Sequence, residues 1–104
     1  MLLLGARQVG KTWLMLHFGE KNYKHVAYIR FDRNERMRAI FEASNYNMKE
    51  LLLNIQAEVR QKITLGKTLL ILDEIQECPA ALTSLKYSCE DVPELHVMAA
   101  GLAI

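Results

Sequence analysis

Leu2-Leu3-Leu4-Gly5-Ala6-Arg7-Gln8-Val9-Gly10-Lys11-Thr12 is the stretch that decides the fold. Three apolar residues of strand character run into a loop from Gly5 to Gly10. The loop runs into Lys11–Phe18, where Trp13, Leu14, Leu16 and Phe18 predict a helix that ends at Gly19. Gly5, Gly10, Lys11 and Thr12 spell GxxxxGK[ST] between strand and helix, the arrangement that cradles phosphates. Phosphate oxygens need bare backbone N–H groups, and Gly5 and Gly10 carry no Cβ and permit unusual φ angles. The helix start adds a positive dipole end of roughly +0.5 charge. Lys11 is suited to reach the β and γ phosphates, and Thr12 to give its hydroxyl to Mg²⁺, which accepts few protein ligands. The candidate nucleotide-binding segment is therefore Gly5, Ala6, Arg7, Gln8, Val9, Gly10, Lys11 and Thr12. Within it, Arg7 and Gln8 stand at variable positions that more often face solvent. Average residue usage makes an accidental match roughly a 0.3% event over this length.

Working outward, Val26-Ala27-Tyr28-Ile29-Arg30-Phe31 has the β-branched and aromatic content of a second strand, punctuated by Asp32-Arg33-Asn34. Met37, Ile40 and Phe41 read as core. From Asn47, the apolar positions Met48, Leu52, Ile55, Val59 and Ile63 recur at helical spacing, with Asn47 and Glu50 as a capping box and Gly66 as the break. Thr68-Leu69-Leu70-Ile71-Leu72 then predicts a strand buried on both faces, as in parallel sheets. Pro79 fits the first turn of a helix running to about Glu90, with Leu82, Leu85 and Cys89 on one side. Leu95 to Ala100 is the fourth strand candidate. The alternation βαβαβαβ predicts an α/β fold on a parallel sheet.

The third strand ends in Asp73-Glu74, 62 residues after Lys11, which is Walker B spacing after two βα units. Strand ends face the ligand in open α/β sheets, so Asp73 is expected to hold Mg²⁺ beside Thr12. Glu74 is expected to orient or deprotonate the attacking water. Lys11 and Glu74 are thus the candidate catalytic residues. Gln76 either extends this polar site or caps the next segment.

Composition excludes other classes. The 104 residues are 51% hydrophobic and 24% charged with a net charge of +1, so neither disorder nor a nucleic-acid partner is indicated. Arg30, Arg33, Arg36 and Arg38, interrupted by Asp32 and Glu35, read as a solvated helix face. No apolar run approaches the ~20 residues that span a bilayer, and no secretory signal follows Met1. Cys78 and Cys89 are 11 positions apart, outside zinc-ligand patterns, and point to inert thiols in a reducing cytoplasmic setting. His17, His25 and His96 lack metal-ligand spacing. The absence of NKxD disfavours a GTPase, and the absence of LSGGQ disfavours an ABC ATPase.

GARQVGKT together with LLILDEIQECPAALTSLKYSCEDVPELHVMAAG resembles the N-terminal AAA-type ATPase domain of a large bacterial and archaeal family of P-loop ATPases, usually joined to a C-terminal domain of unknown function. The resemblance covers almost the whole chain. It implies a three-layer P-loop NTPase fold with a mostly parallel sheet, Walker A at 5–12, Walker B at 69–74, ATP and Mg²⁺ as ligands, and ATP hydrolysis coupled to a conformational process. Two departures stand out: the family usually shows a Ser after AAG, near the sensor position, where this chain has Leu102, and Ile104 comes before the fifth strand, the lid and the arginine finger. The expectation is thus a partial domain over 1–104, incomplete at its C-terminal end, with lid and C-terminal domain absent. Its first strand would be exposed to self-association or a protein partner. Arginine fingers are worth ~10³–10⁵ in rate, so slow turnover by this chain alone is expected. The alternative is a non-catalytic nucleotide-dependent binding module or an inactive gene fragment.

Overall fold

Thr68–Asp73 is buried at every residue, which requires a sheet covered on both faces. The computed structural model describes residues 2–4, 9–45 and 47–101, giving backbone alone for 2–4 and 9–11. Its elements are β1 (Leu2–Leu4), α1 (Val9–Asn22), β2 (His25–Arg30), α2 (Glu35–Ala43), α3 (Met48–Val59), β3 (Thr68–Asp73), a 3₁₀ turn (Ile75–Glu77), α4 (Pro79–Asp91) and β4 (His96–Gly101). All strand pairs are parallel, in the order β1-β4-β3-β2. The fold is the expected α/β arrangement of a parallel sheet between helices.

Alternation along β3 sorts the two cores. Leu69 and Ile71 pack with Met15 of α1 and with Met98 and Ala100 of β4. Leu70 and Leu72 face the opposite way, into a larger cluster with Phe31, Phe41, Leu51, Ile55 and Ala81 beneath α2, α3 and α4. Phe31 and Phe41 meet edge to face, with ring centroids 5.1 Å apart. Register fixes the heights: Leu2 pairs with Ala99 and Ala99 with Leu72, so β1 ends level with the acidic pair. Strands stand about 4.8 Å apart, which puts β1 and β3 roughly 10 Å from one another with β4 between them.

Several expectations need correction. The first helix does not end at Gly19; it runs to Asn22, and Tyr23 still donates its N–H to the Gly19 carbonyl at 2.9 Å. Gly19 serves proximity instead of termination, since a Cβ there would lie 2.7 Å from Val26 Cγ2 and 3.2 Å from Leu69 Cδ2. Val9 and Gly10, expected in the loop, already belong to α1. The helix from Asn47 is capped as expected, with Glu50 N–H donating to Asn47 Oδ1 at 3.2 Å, but it stops before Ile63. Arg60 enters the left-handed region at φ 55°, and Gln56 Oε1 then accepts the Ile63 N–H at 2.8 Å, so Ile63 is buried from an irregular segment beyond the helix. A separate helix, α2, precedes α3; Asn34 caps it by accepting from Met37 N–H at 3.1 Å, and Met37 and Phe41 are its buried residues.

The helix from Pro79 buries Ala81, Ser84 and Ser88, with Leu85 partly covered, whereas Leu82 and Cys89 are exposed. Small residues let α4 sit close, and the hydroxyls of Ser84 and Ser88 are satisfied by the Ala81 and Leu85 carbonyls at 2.8 and 2.9 Å. β2 and β4 are each shifted by one residue from their sequence bounds, to His25–Arg30 and His96–Gly101. Cys78 is buried, Cys89 exposed, and both are free. Among the described residues no helix is long and apolar enough to cross a membrane.

Gly19→Ala tests the close approach of α1. In an exposed helix interior this change gains up to ~1 kcal/mol, but overpacking costs ~1–3 kcal/mol. Thermal melting should therefore show a net loss of about 1 kcal/mol, a Tm drop of several degrees for a domain of this size. A raised Tm would refute the steric reading.

Candidate functional site

The parity that sends Leu69 and Ile71 toward α1 sends Asp73 the same way, out of the C-terminal end of β3. Asp73 is 6% exposed, and a buried carboxylate is costly unless donors surround it. Three do. Thr12 Oγ1, in the first turn of α1, donates to Asp73 Oδ2 at 3.1 Å. The Tyr28 hydroxyl, from the adjacent strand β2, donates to the same oxygen. The Glu74 N–H donates to Asp73 Oδ1 at 2.9 Å. The Asp73 carbonyl also accepts from Phe31 N–H at 3.0 Å, which ties β2 to β3 at this height.

Tyr28 was not read as a site residue. It pairs in register with Ile71, so its side chain stands on the α1 face and its hydroxyl reaches the next residue of that face on β3. Burial first, and the neighbouring Asp73 carboxylate second, push its phenol well above the usual range, so it remains a donor. The one usable sequence signal was a tyrosine within a strand, and its value depends on knowing the register. Arg30, level with Asp73 at the end of β2, is exposed and held by Asp32, whose carboxylate raises the guanidinium pKa further.

Glu74 leaves the strand in the left-handed conformation, φ 54° and ψ 45°, and begins the 3₁₀ turn. It is 5% exposed, and its Oε1 accepts from Gln76 Nε2 at 2.9 Å. The two carboxylates thus diverge, Asp73 toward α1 and β2, Glu74 toward the turn that follows it.

Of the residues singled out in sequence, Thr12, Asp73 and Glu74 come together at this edge of the sheet. Val9, Gly10 and Lys11 lie in the first turn of α1, beside Thr12. Gly5, Ala6, Arg7 and Gln8 lie outside the described residues, as does Leu102. The histidines are apart from the site: His17 stacks on Trp13 with ring centroids 4.7 Å apart, and His96 meets the Tyr23 hydroxyl at 2.6 Å. Arg36 reaches Glu58 at 3.8 Å and Arg38 donates to the Phe31 carbonyl at 3.2 Å, on α2. An apolar hollow of about 450 Å³, lined by Phe18, Tyr23, Leu85, Cys89 and His96 among others, opens at the other end of β4, away from the acidic pair.

Among the described residues no cluster of three or more His, Cys, Asp or Glu could by itself hold a metal. A single carboxylate beside a hydroxyl suits instead a cation that keeps waters and shares a substrate's phosphates. A family model described as an AAA domain matches residues 1–102 of this chain. No curated protein and no solved structure matches it.

Tyr28→Phe should lower the stability of the ligand-free protein by ~1.5–3 kcal/mol, the range for a hydrogen bond to a charged group. Thr12→Val removes a longer bond and should cost less. Urea denaturation checks both, and an unchanged Tyr28→Phe midpoint would mean that the phenol contributes nothing to holding Asp73.

Proposed function

Because the chain belongs to the AAA domain family, whose function is of the nucleotide-binding, ATPase-like kind, we propose that it binds ATP with Mg²⁺ and hydrolyses it to drive a conformational change. The observation that carries this reading is the 3.1 Å contact between Thr12 Oγ1 and Asp73, from elements 61 residues apart in sequence. Residues 5–12 act as Walker A and residues 69–74 as Walker B. The backbone N–H groups of Gly5, Ala6, Arg7, Gln8, Val9 and Gly10, with the dipole of α1, hold the phosphates, and Lys11 adds a point charge at the β and γ groups.

Thr12 and Asp73 fit the ion. A hydroxyl has one proton and two lone pairs. The Thr12 proton already goes to Asp73, which leaves the lone pairs to a cation while the hydrogen bond fixes their direction. Bound Mg²⁺ would neutralise charge on the phosphate oxygens. Tyr28 keeps Asp73 in place from the other side. Glu74, held apart from Asp73 by its left-handed backbone, accepts the proton of the attacking water, a role worth ~10²–10⁴ in rate.

Leu102 favours a second reading, a nucleotide-dependent binding module without turnover, because a leucine offers no donor where related ATPases have a serine. One set of variants separates the two. Saturating Mg·ATP, at 100 times Kd, should stabilise the protein by ~2.7 kcal/mol in a thermal shift, and Lys11→Ala should abolish that shift. Glu74→Gln should keep ATP affinity within about twofold while single-turnover hydrolysis falls at least ~100-fold. Binding with no hydrolysis in either form supports the module, and a Lys11→Ala protein that binds ATP normally overturns both.

A further inference from the structure

Gln76 shows what neither a nucleotide-binding loop nor an acidic pair explains. We infer that Gln76 is a positioning residue that fixes the Glu74 carboxylate, and that the last residue of β4, Gly101, is small because the Gln76 amide is seated against it. This rests on the reading of Glu74 as the base.

A role for Gln76 in capping α4 does not account for the side chain. The N-cap of α4 is Cys78, without a side-chain cap bond, and Pro79 fills the first turn. Gln76 instead turns back and donates Nε2–H to Glu74 Oε1 at 2.9 Å. The left-handed Glu74 followed by the 3₁₀ turn brings the two side chains together. The turn is itself anchored: Ile75 is 1% exposed, Glu77 N–H reaches the Glu74 carbonyl at 3.1 Å, and Cys78 N–H reaches the Ile75 carbonyl at 3.0 Å. Glu74 is therefore fixed at both ends, its N–H on Asp73 Oδ1 and its Oε1 on Gln76. A glutamate with free torsions spends little time at one attack geometry, whereas one gripped by a half-buried amide is already oriented.

Gly101 is the second, independent observation. A Cβ built on it would collide with Gln76 Oε1, and it would lie 3.3 Å from Ile75 Cγ2 and 3.4 Å from the Gln76 backbone nitrogen. Gly66, not Gly101, is the positive-φ glycine among the described residues, so backbone conformation does not demand glycine at 101. What it provides is room for the carboxamide. Since the colliding atom is the tip of a flexible side chain, Gly101→Ala displaces the amide without breaking the fold.

The test uses this chain labelled with ¹³C at glutamate carboxyls, with the Glu74 resonance identified by its loss in Glu74→Gln. Gln76→Ala and Gly101→Ala should each move that resonance, and the double variant should move it no further than Gln76→Ala alone, because the two act through one contact. The Kd for Mg·ATP should stay within about twofold in all three, while single-turnover hydrolysis falls about tenfold, part of what a general base supplies. An unmoved Glu74 resonance in Gln76→Ala overturns the inference, as does a loss of ATP affinity equal to the loss of rate. If Glu74→Gln leaves hydrolysis unchanged, or none is detected in any form, while the resonance still answers to Gln76 and Gly101, the hold on Glu74 stands and the base role fails.

Discussion

A carboxylate taken out of water costs several kcal/mol unless each oxygen finds a donor, and Asp73 finds donors on three separate pieces of chain. Thr12 brings the first turn of α1, Tyr28 brings β2, and the Glu74 N–H brings the start of the 3₁₀ turn. None of these donors can move away without leaving a buried charge short of a partner. The position of α1 over the sheet, and with it the direction of the helix end that follows the glycine loop, is fixed by that requirement before any ligand arrives. On the proposed reading of the site, preorganisation of this kind lowers the entropic cost of bringing phosphate, metal and carboxylate together.

Bringing α1 that close depends on what lies under it. β4 separates β1 from β3, so the chain that ends β1 reaches Asp73, through Thr12 of α1, only by crossing β4. The β4 residue on the α1 face near that crossing is Ala100, fully buried with no side chain beyond Cβ. At the other end of α1, Gly19 allows contact with Val26 and Leu69. A bulky residue at either place would lift the helix and open the Thr12 contact, so the site depends on small side chains that carry no chemistry.

The strands and the acidic pair were legible in sequence because their signals are local. Leu69 to Leu72 has no polar residue to place on a solvent face, and Asn47 with Glu50 writes its cap in four letters. Apart from shifted element ends, most of the misreadings are tertiary. Gly19 looked like a helix terminator because glycine usually is one outside a packed interface, and only the proximity of Val26 and Leu69 reverses that meaning. Ile63 continued the helical spacing of α3 although Arg60 had already left the helix. Leu82 and Cys89 outranked Ala81, Ser84 and Ser88 on hydrophobicity, yet a helix packed tightly against its neighbours buries its small residues. Tyr28 was invisible for a related reason: its partner is set by β2–β3 register, which no local pattern encodes.

Adjacent residues on a strand point to opposite faces, so two carboxylates in sequence would ordinarily be divided by the sheet itself. Here the division falls at the strand's end, where Glu74 enters the left-handed region at a cost of roughly 1–2 kcal/mol for a side chain with a Cβ. Such strain persists only where the surroundings over-determine the conformation. Burial of Ile75, the bonds closing the 3₁₀ turn and the grip of Gln76 together meet that condition. The consequence is chemical. Asp73 faces the hydroxyls of Thr12 and Tyr28, while Glu74 is held by Gln76 of the turn that follows it, so neighbouring carboxyl groups occupy different environments.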